Sequence, residues 1–267
     1  MSDENRRSAL AALRHAVARI EHREAALAEE TDALAFGAAA VDGALSGGLE
    51  RGAIHDVLAT REGDAGAALG FALGLAARSG GPLLMIEDRL GALEQGLAYG
   101  PGLAAMGLDP GSVLFVRAPD ATALLSAAEE GMACRALGCV IAVLRGGVKA
   151  YDLTASRRLA LAAARSGVIG FMLMPGLREA APTAAVTRWR IAAAPSLAPG
   201  LWAGGVGPPA LEADLLRRRD GPPLSFRLVW SPHERAFSSL PLSRDRSAAP
   251  ARGAHRAPAP GGRIAAA

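Results

Sequence analysis

One pattern limits the fold more than any other: short, continuously apolar runs that alternate with helical stretches of a dozen residues or more. The runs are Ile54–Leu58, Leu83–Glu87, Val113–Val116, Cys139–Leu144 and Val168–Met174. Between them, helices are expected from about Ala65 to Arg78, over Ala121–Leu137 and over Thr154–Arg165, the last capped by Gly167. Strands apolar on both faces belong to a parallel sheet covered by helices on both sides. The expected fold class is therefore α/β, with a mostly parallel sheet.

The flanking segments read differently. Residues 4–31 carry Leu10, Leu13, Val17, Ile20 and Leu27 at helical spacing, with Arg and Glu opposite. They read as an amphipathic arm (1–35) that packs on its own domain or on a partner. The core domain is expected over 36–195, with Arg188–Ala193 as a further short strand. Residues 196–209 form a loop rich in Pro, Gly and Ala. Leu211–Arg219 and Leu224–Trp230 flank Asp220-Gly221, a turn signal for a β-ribbon at the sheet edge, giving an appended unit over 196–239. The tail, 240–267, is Pro, Ala, Arg and Ser and is expected to be disordered.

Composition narrows the chemistry. Of 267 residues, 51% are hydrophobic but only 4% aromatic, so the core is expected to be mostly Ala, Leu, Val and Gly. Cys134 and Cys139 match no redox or zinc spacing and are expected to be reduced, packed thiols. The five histidines show no metal-ligand spacing, and neither a hydrolase elbow nor a dinucleotide fingerprint is present. The polar start, without an 18-residue apolar run, points to a cytoplasmic protein with no membrane contact.

A strand, a glycine loop and a helix over Ile54–Arg78 form the frame of a phosphate-binding loop. A working loop needs G-x-x-x-x-G-K-[ST], where lysine neutralises phosphate and the hydroxyl holds magnesium. Here Gly63 and Gly66 persist, but Ala67 and Ala68 stand where Lys and Ser/Thr belong. The net charge is +3, yet there is a single lysine, Lys149, with no such motif around it. The strand ending at Leu144 is followed by Arg145 rather than by an acid. Glu62 and Asp64, within the loop, would repel a triphosphate. Glu87 and Asp88 end a strand where a water-activating carboxylate could sit, although a solvated acidic loop after the strand is the preferred reading.

The segment FGAAAVDGALSGGLERGAIHDVLA, through Asp42, Leu45, Gly47, Gly48, Leu49, Gly52, Ile54 and Asp56, resembles the entry of RecA. With YGPGLAAMGLDPGSVLFVRAP, LTASRRLALAAARSG, TAAVTRWRIAAAPS and LEADLLRRRDGPPLSFRLVW, the stretch 36–230 resembles the ImuA family of RecA-like, SulA-like proteins. The resemblance implies a RecA-like fold and a non-catalytic accessory role in SOS-linked, DNA-damage-induced mutagenesis. Its implied partners are an ImuB-like Y-family polymerase homologue and an error-prone C-family polymerase in translesion synthesis, with RecA or DNA as further contacts. No cofactor is expected. Two other readings are a degenerate ATP-binding protein and a SulA-like inhibitor of cell division.

Stretches matching the DNA-binding loops of RecA, Arg145–Asp152 and Pro175–Thr187, hold Arg145, Lys149 and Arg178, with Arg157 and Arg158 on the adjoining helix. These, with Arg217, Arg218 and Arg219 on the ribbon, are the candidate residues for DNA or partner contact. Three arginines would also protect an edge strand from self-pairing.

Overall fold

The computed structural model describes residues 33–89, 99–145, 148–177, 179–196, 207–219 and 221–240. The expected N-terminal helix, Arg178, most of the 196–209 loop and the tail beyond Leu240 lie outside the described residues.

Nine strands form one sheet. In chain order they are β3 (Ile54–Ala59), β4 (Leu83–Asp88), β5 (Val113–Ala118), β6 (Cys139–Val143), β7 (Ile169–Pro175), β8 (Thr187–Ala194), β9 (Ala210–Arg217), β10 (Leu224–Ser231) and β11 (Ala236–Leu240). Their spatial order is β11-β10-β9-β8-β3-β7-β6-β4-β5. The six from β8 to β5 are parallel, and β9, β10 and β11 add to β8 in antiparallel fashion. A small antiparallel pair, β1 (Ala33–Leu34) and β2 (Leu49–Glu50), opens the described chain, with the short α1 (Ala39–Ala44) between its strands. This is the expected α/β architecture, a RecA-like mostly parallel sheet with helices on both faces.

β3, β6 and β7 are buried along their whole length, as strands covered on both faces must be. α2 (Ala65–Ser79) and the short α3 (Gly100–Ala105) lie on one face, where Phe71, Leu75 and Leu103 join the core. α4 (Ala121–Ala133) and α5 (Leu153–Ser166) lie on the other, where Leu124, Ala128, Met132, Leu159 and Ala163 pack. Asp120 and Asp152 cap these two helices by accepting the N–H groups of Ala123 and Ala155. Gly167 closes α5 in the left-handed conformation. β3 is followed by α2, β5 by α4 and β6 by α5 before the chain enters the next strand, which keeps these strands parallel, whereas β7 leads to β8 without a helix among the described residues.

Most of the buried core is Leu, Ala and Val, as expected. The few aromatics are concentrated on the α2 face, where Phe36, Phe71, Trp189, Trp230 and Phe237 are all buried. Ring centroids lie 5.4 Å apart for Phe71–Trp189, 5.5 Å for Phe36–Trp189 and 4.8 Å for Trp230–Phe237. The α4–α5 face is the aliphatic one. Composition averages over both faces, so it hides this segregation.

Two boundaries differ from those expected. α4 stops at Ala133 instead of continuing to Leu137, because the chain must turn to bring Gly138 against the end of α2. A Cβ on Gly138 would lie 1.5 Å from the Gly80 carbonyl oxygen, so only glycine fits. The terminal ribbon has a third strand, β11, which carries Phe237 into the aromatic cluster. β11 covers the outer side of β10, while β9 pairs with β8 and β10 on its two sides, so Arg217 ends an interior strand rather than an edge one and Arg218 and Arg219 follow it. The cysteines are both free, with Cys139 buried and Cys134 exposed.

His55 shows how β2, β3 and β8 are locked together. It is fully buried, with Nδ1 2.8 Å from Thr187 Oγ1 and Nε2 3.0 Å from the Glu50 carbonyl. Trp189 Nε1–H donates to the same Thr187 oxygen at 2.9 Å. The consistent assignment has the Thr187 hydroxyl donating to Nδ1 and Nε2–H donating to Glu50. Burial holds the imidazole neutral and lowers its pKa from 6.5 to about 4, with the Glu50 bond opposing. Below pH 6.5 the unfolded chain binds the proton that the folded chain refuses. Stability should therefore decline between pH 6.5 and about 4, by about 3 kcal/mol in all, then level off. Urea midpoints across that range in the protein and in His55→Gln check this: the variant should lose the corresponding part of the slope.

Candidate functional site

The site to test is the mouth where β3, β7, β6 and β4 end, because a phosphate-binding loop would open there. Between β3 and α2 the chain makes a single tight 3-10 turn, Glu62–Asp64. Counting back from Gly66, the first glycine of a G-x-x-x-x-G loop would fall at position 61, which is Arg61. The loop is thus tightened as well as stripped of its lysine and hydroxyl. Gly63 and Gly66 have open space where side chains would be, so neither is required by close packing. Ala67 is half-buried and Ala68 buried, and both join the core on the α2 side.

The acids of this loop are put to internal use. Asp64 is buried, accepts the Ala193 N–H at 3.0 Å and pairs with Arg61 at 2.9 Å. Burial alone would raise its carboxyl, but the Arg61 guanidinium and the Ala193 N–H together hold it below the ordinary carboxylate range. Glu62 reaches across the mouth to Arg145, 3.5 Å away. Its carboxylate rests against Gly176, where a Cβ would meet Glu62 Oε1 at 2.4 Å. Gly176 has φ +74°, so the close approach and the backbone both favour glycine there. The position where a bound phosphate would need cations thus carries a carboxylate that has already claimed Arg145.

Glu87 and Asp88 are both half-buried at the end of β4. Asp88 Oδ2 accepts the Arg145 N–H at 3.2 Å. Burial raises the Glu87 carboxyl, with Arg117 and Arg145 acting against the shift. The pair stands in the mouth, beside the Arg145 that Glu62 engages.

A second group of residues, deeper in the sheet, escaped the sequence reading. Asp56 on β3 is fully buried. Its carboxylate accepts the Tyr151 hydroxyl at 2.9 Å, the Thr183 hydroxyl at 2.7 Å and the Arg188 guanidinium at 2.9 Å. Arg188 also donates to the carbonyls of Ala180 and Ala181, at 3.0 and 2.8 Å. The Ala184 N–H donates to Ser156 Oγ at 3.0 Å. Burial, reinforced by the Asp56 charge, raises the Tyr151 phenol well above its usual value. Asp56 thus fastens the stretch after β6 and the stretch after β7 to the central strand. A charged residue in an otherwise apolar strand, IHDVLA, was the available signal.

The candidate basic residues separate into two kinds. Arg217 spends its guanidinium on the Thr183 carbonyl at 3.2 Å and on the Ala185 carbonyl, and Arg218 donates to the Ala44 carbonyl. Arg145 is committed to Glu62. Lys149 and Arg157 are exposed, Arg158 pairs with Glu129, and Arg219 lies 3.4 Å from Glu50 with an exposed side chain. Lys149 and Arg158 lie on the α4–α5 side, whereas Arg219 pairs with β2, so they form no single basic patch. Among the described residues no group of three or more His, Cys, Asp or Glu could hold a metal ion, and no helix is long and apolar enough to cross a membrane.

The sheet order and the altered loop define a class: RecA-like α/β proteins whose phosphate loop carries neither the lysine nor the hydroxyl. No family model matches the chain. It is 33% identical over 216 residues to Protein ImuA of Caulobacter vibrioides strain NA1000 / CB15N, covering 75% of this chain and 84% of that protein. The same figures hold for Protein ImuA of Caulobacter vibrioides strain ATCC 19089 / CIP 103742 / CB 15. The chain belongs to the ImuA family.

Proposed function

We propose that this protein is a non-catalytic accessory factor of DNA-damage-induced mutagenesis, acting with an ImuB-like protein and an error-prone C-family polymerase in translesion synthesis. The observation that carries the non-catalytic part is the Glu62 carboxylate laid across the loop mouth onto Arg145 and Gly176. Family membership supports the mutagenesis system, and the RecA-like fold supplies a scaffold for contacts rather than a chemistry.

Two measurements test this. ATP with magnesium at about 1 mM should shift the melting temperature by less than about 1 °C, since a ligand bound well below that concentration would stabilise the fold visibly. A magnesium-dependent rise of several degrees would favour a nucleotide-binding protein instead. Deletion of the gene should remove most damage-induced mutation and leave division normal, whereas filamentous growth regulation without a mutation phenotype would point to a division inhibitor. Lys149 and Arg219, exposed and clear of the loop mouth, are the proposed first residues for partner or DNA contact. Arg157 and Arg158 share the α4–α5 side with Lys149, whereas Arg219 lies beside β2.

A further inference from the structure

The outer face of α5 is unusual for a surface helix. Leu153 and Leu161 are 39% and 58% exposed, eight residues apart on one stripe, with Arg157 midway between them. Arg158 and Arg165 flank the stripe. A groove between α4 and α5, lined by Glu129, Ala133, Arg135, Leu161 and Arg165, runs beside it. Arg158 is paired with Glu129, which leaves Arg135 and Arg165 without an acidic side chain in this groove. The face carries exposed leucines with arginines between and beside them.

Residues 20–32, IEHREAALAEETD, have the complementary pattern. They contain five acids, Glu21, Glu24, Glu29, Glu30 and Asp32, against one arginine, Arg23. On a helix, Ile20 and Leu27 would share a stripe bordered by Glu24 on one side and Glu30 on the other. Seven residues separate those two apolar side chains, about 10.5 Å of helix, against about 12 Å for the eight between Leu153 and Leu161.

The described chain begins at the end of the sheet where α5 finishes, with Ala33 itself beside Ala77 and Arg78 at the end of α2. Leu34 pairs with Leu49 and Ala33 with Glu50, which Arg51 and Gly52 follow in the chain. Gly52 N–H donates to the Gly167 carbonyl at 3.1 Å, at the C-terminal end of α5. Leu27 stands six residues before Ala33, and Leu161 stands six before Gly167. Ile20 and Leu153 stand thirteen and fourteen residues before the same two points.

We propose that residues 20–32 dock along the α4–α5 face of their own chain, side by side with α5. Leu27 seats at Leu161 and Ile20 at Leu153, and the flanking acids meet Arg157, Arg165 and Arg135. This inference does not depend on the role proposed above.

Limited trypsin digestion of the full chain, with fragments read by mass, tests it. Cleavage after Arg19 and Arg23 should be slow, and Arg157→Glu with Arg165→Glu should accelerate it about fivefold or more, since cleavage follows the population of the undocked segment. Adding Glu24→Arg and Glu30→Arg should restore protection. With Cys134→Ser, the pair Leu27→Cys and Leu161→Cys should oxidise to an internal disulfide, whereas Leu27→Cys with Leu114→Cys on the far sheet edge should not. Cleavage indifferent to the charge reversals overturns the proposal. So does cross-linking that appears only between chains and rises with concentration, because the occupant is then a second copy.

Discussion

Asp56→Ala should destabilise the fold by about 3–5 kcal/mol, the range for breaking a buried ion pair and leaving one charge behind. The Arg188 side chain is only 13% exposed and would lose its counter-charge, while the Tyr151 and Thr183 hydroxyls would lose their acceptor. Urea unfolding of the variant measures the loss. A double-mutant cycle with Arg188→Ala gives the coupling, expected at about 0.5–3 kcal/mol for contacting partners in one network. A near-additive result would mean that the two residues act independently, against the geometry. The variant should also expose the 179–186 stretch to faster hydrogen exchange, because Thr183 and Arg188 hold that stretch through Asp56.

Trp189→Ala has an effect of similar size, about 3–5 kcal/mol for truncating a fully buried large aromatic. Trp189 lies between Phe36 and Phe71 and also contacts Phe226, with centroids 6.3 Å apart, so its loss opens a cavity in the α2-face cluster. It also donates to Thr187 Oγ1, which holds the buried His55. Trp189→Phe keeps most of the ring volume and removes that donor, so it should cost about 1–3 kcal/mol. A thermal melt of both variants separates packing from hydrogen bonding. Equal losses would mean that the indole N–H dominates.

Most of the parallel strands were legible because burial on both faces demands continuous apolar runs, as in LLMI of β4, CVIAV of β6 and IGFMLMP of β7. The capped helices were legible for the same local reason: Asp152 and Gly167 mark the two ends of α5 within the sequence itself. The absence of the lysine and hydroxyl of a working phosphate loop could be read from residue identity alone, because no alanine can replace the charge of a lysine or the oxygen of a hydroxyl. β11 was not legible. Phe237 reads as an isolated aromatic until Trp230, Phe36 and Phe71 are brought against it.

The Arg217–Arg219 run illustrates the same division. Local alternation places Arg217 at the end of a strand, but it cannot show that β8 and β10 flank that strand or that β11 pairs beyond β10. Nor can it show that Arg217 and Arg218 spend their donors on carbonyls at positions 183, 185 and 44. The sequence by itself determined the class of fold and the absence of a lysine and a hydroxyl after Gly66, since both follow from side-chain identity and short-range periodicity. Only the tertiary structure decided which charges are committed: that Asp56 is a buried tether, that Glu62 occupies the loop mouth, and that the α4–α5 face keeps its arginines and leucines exposed. Those facts depend on contacts between residues up to 132 positions apart, which no local pattern encodes.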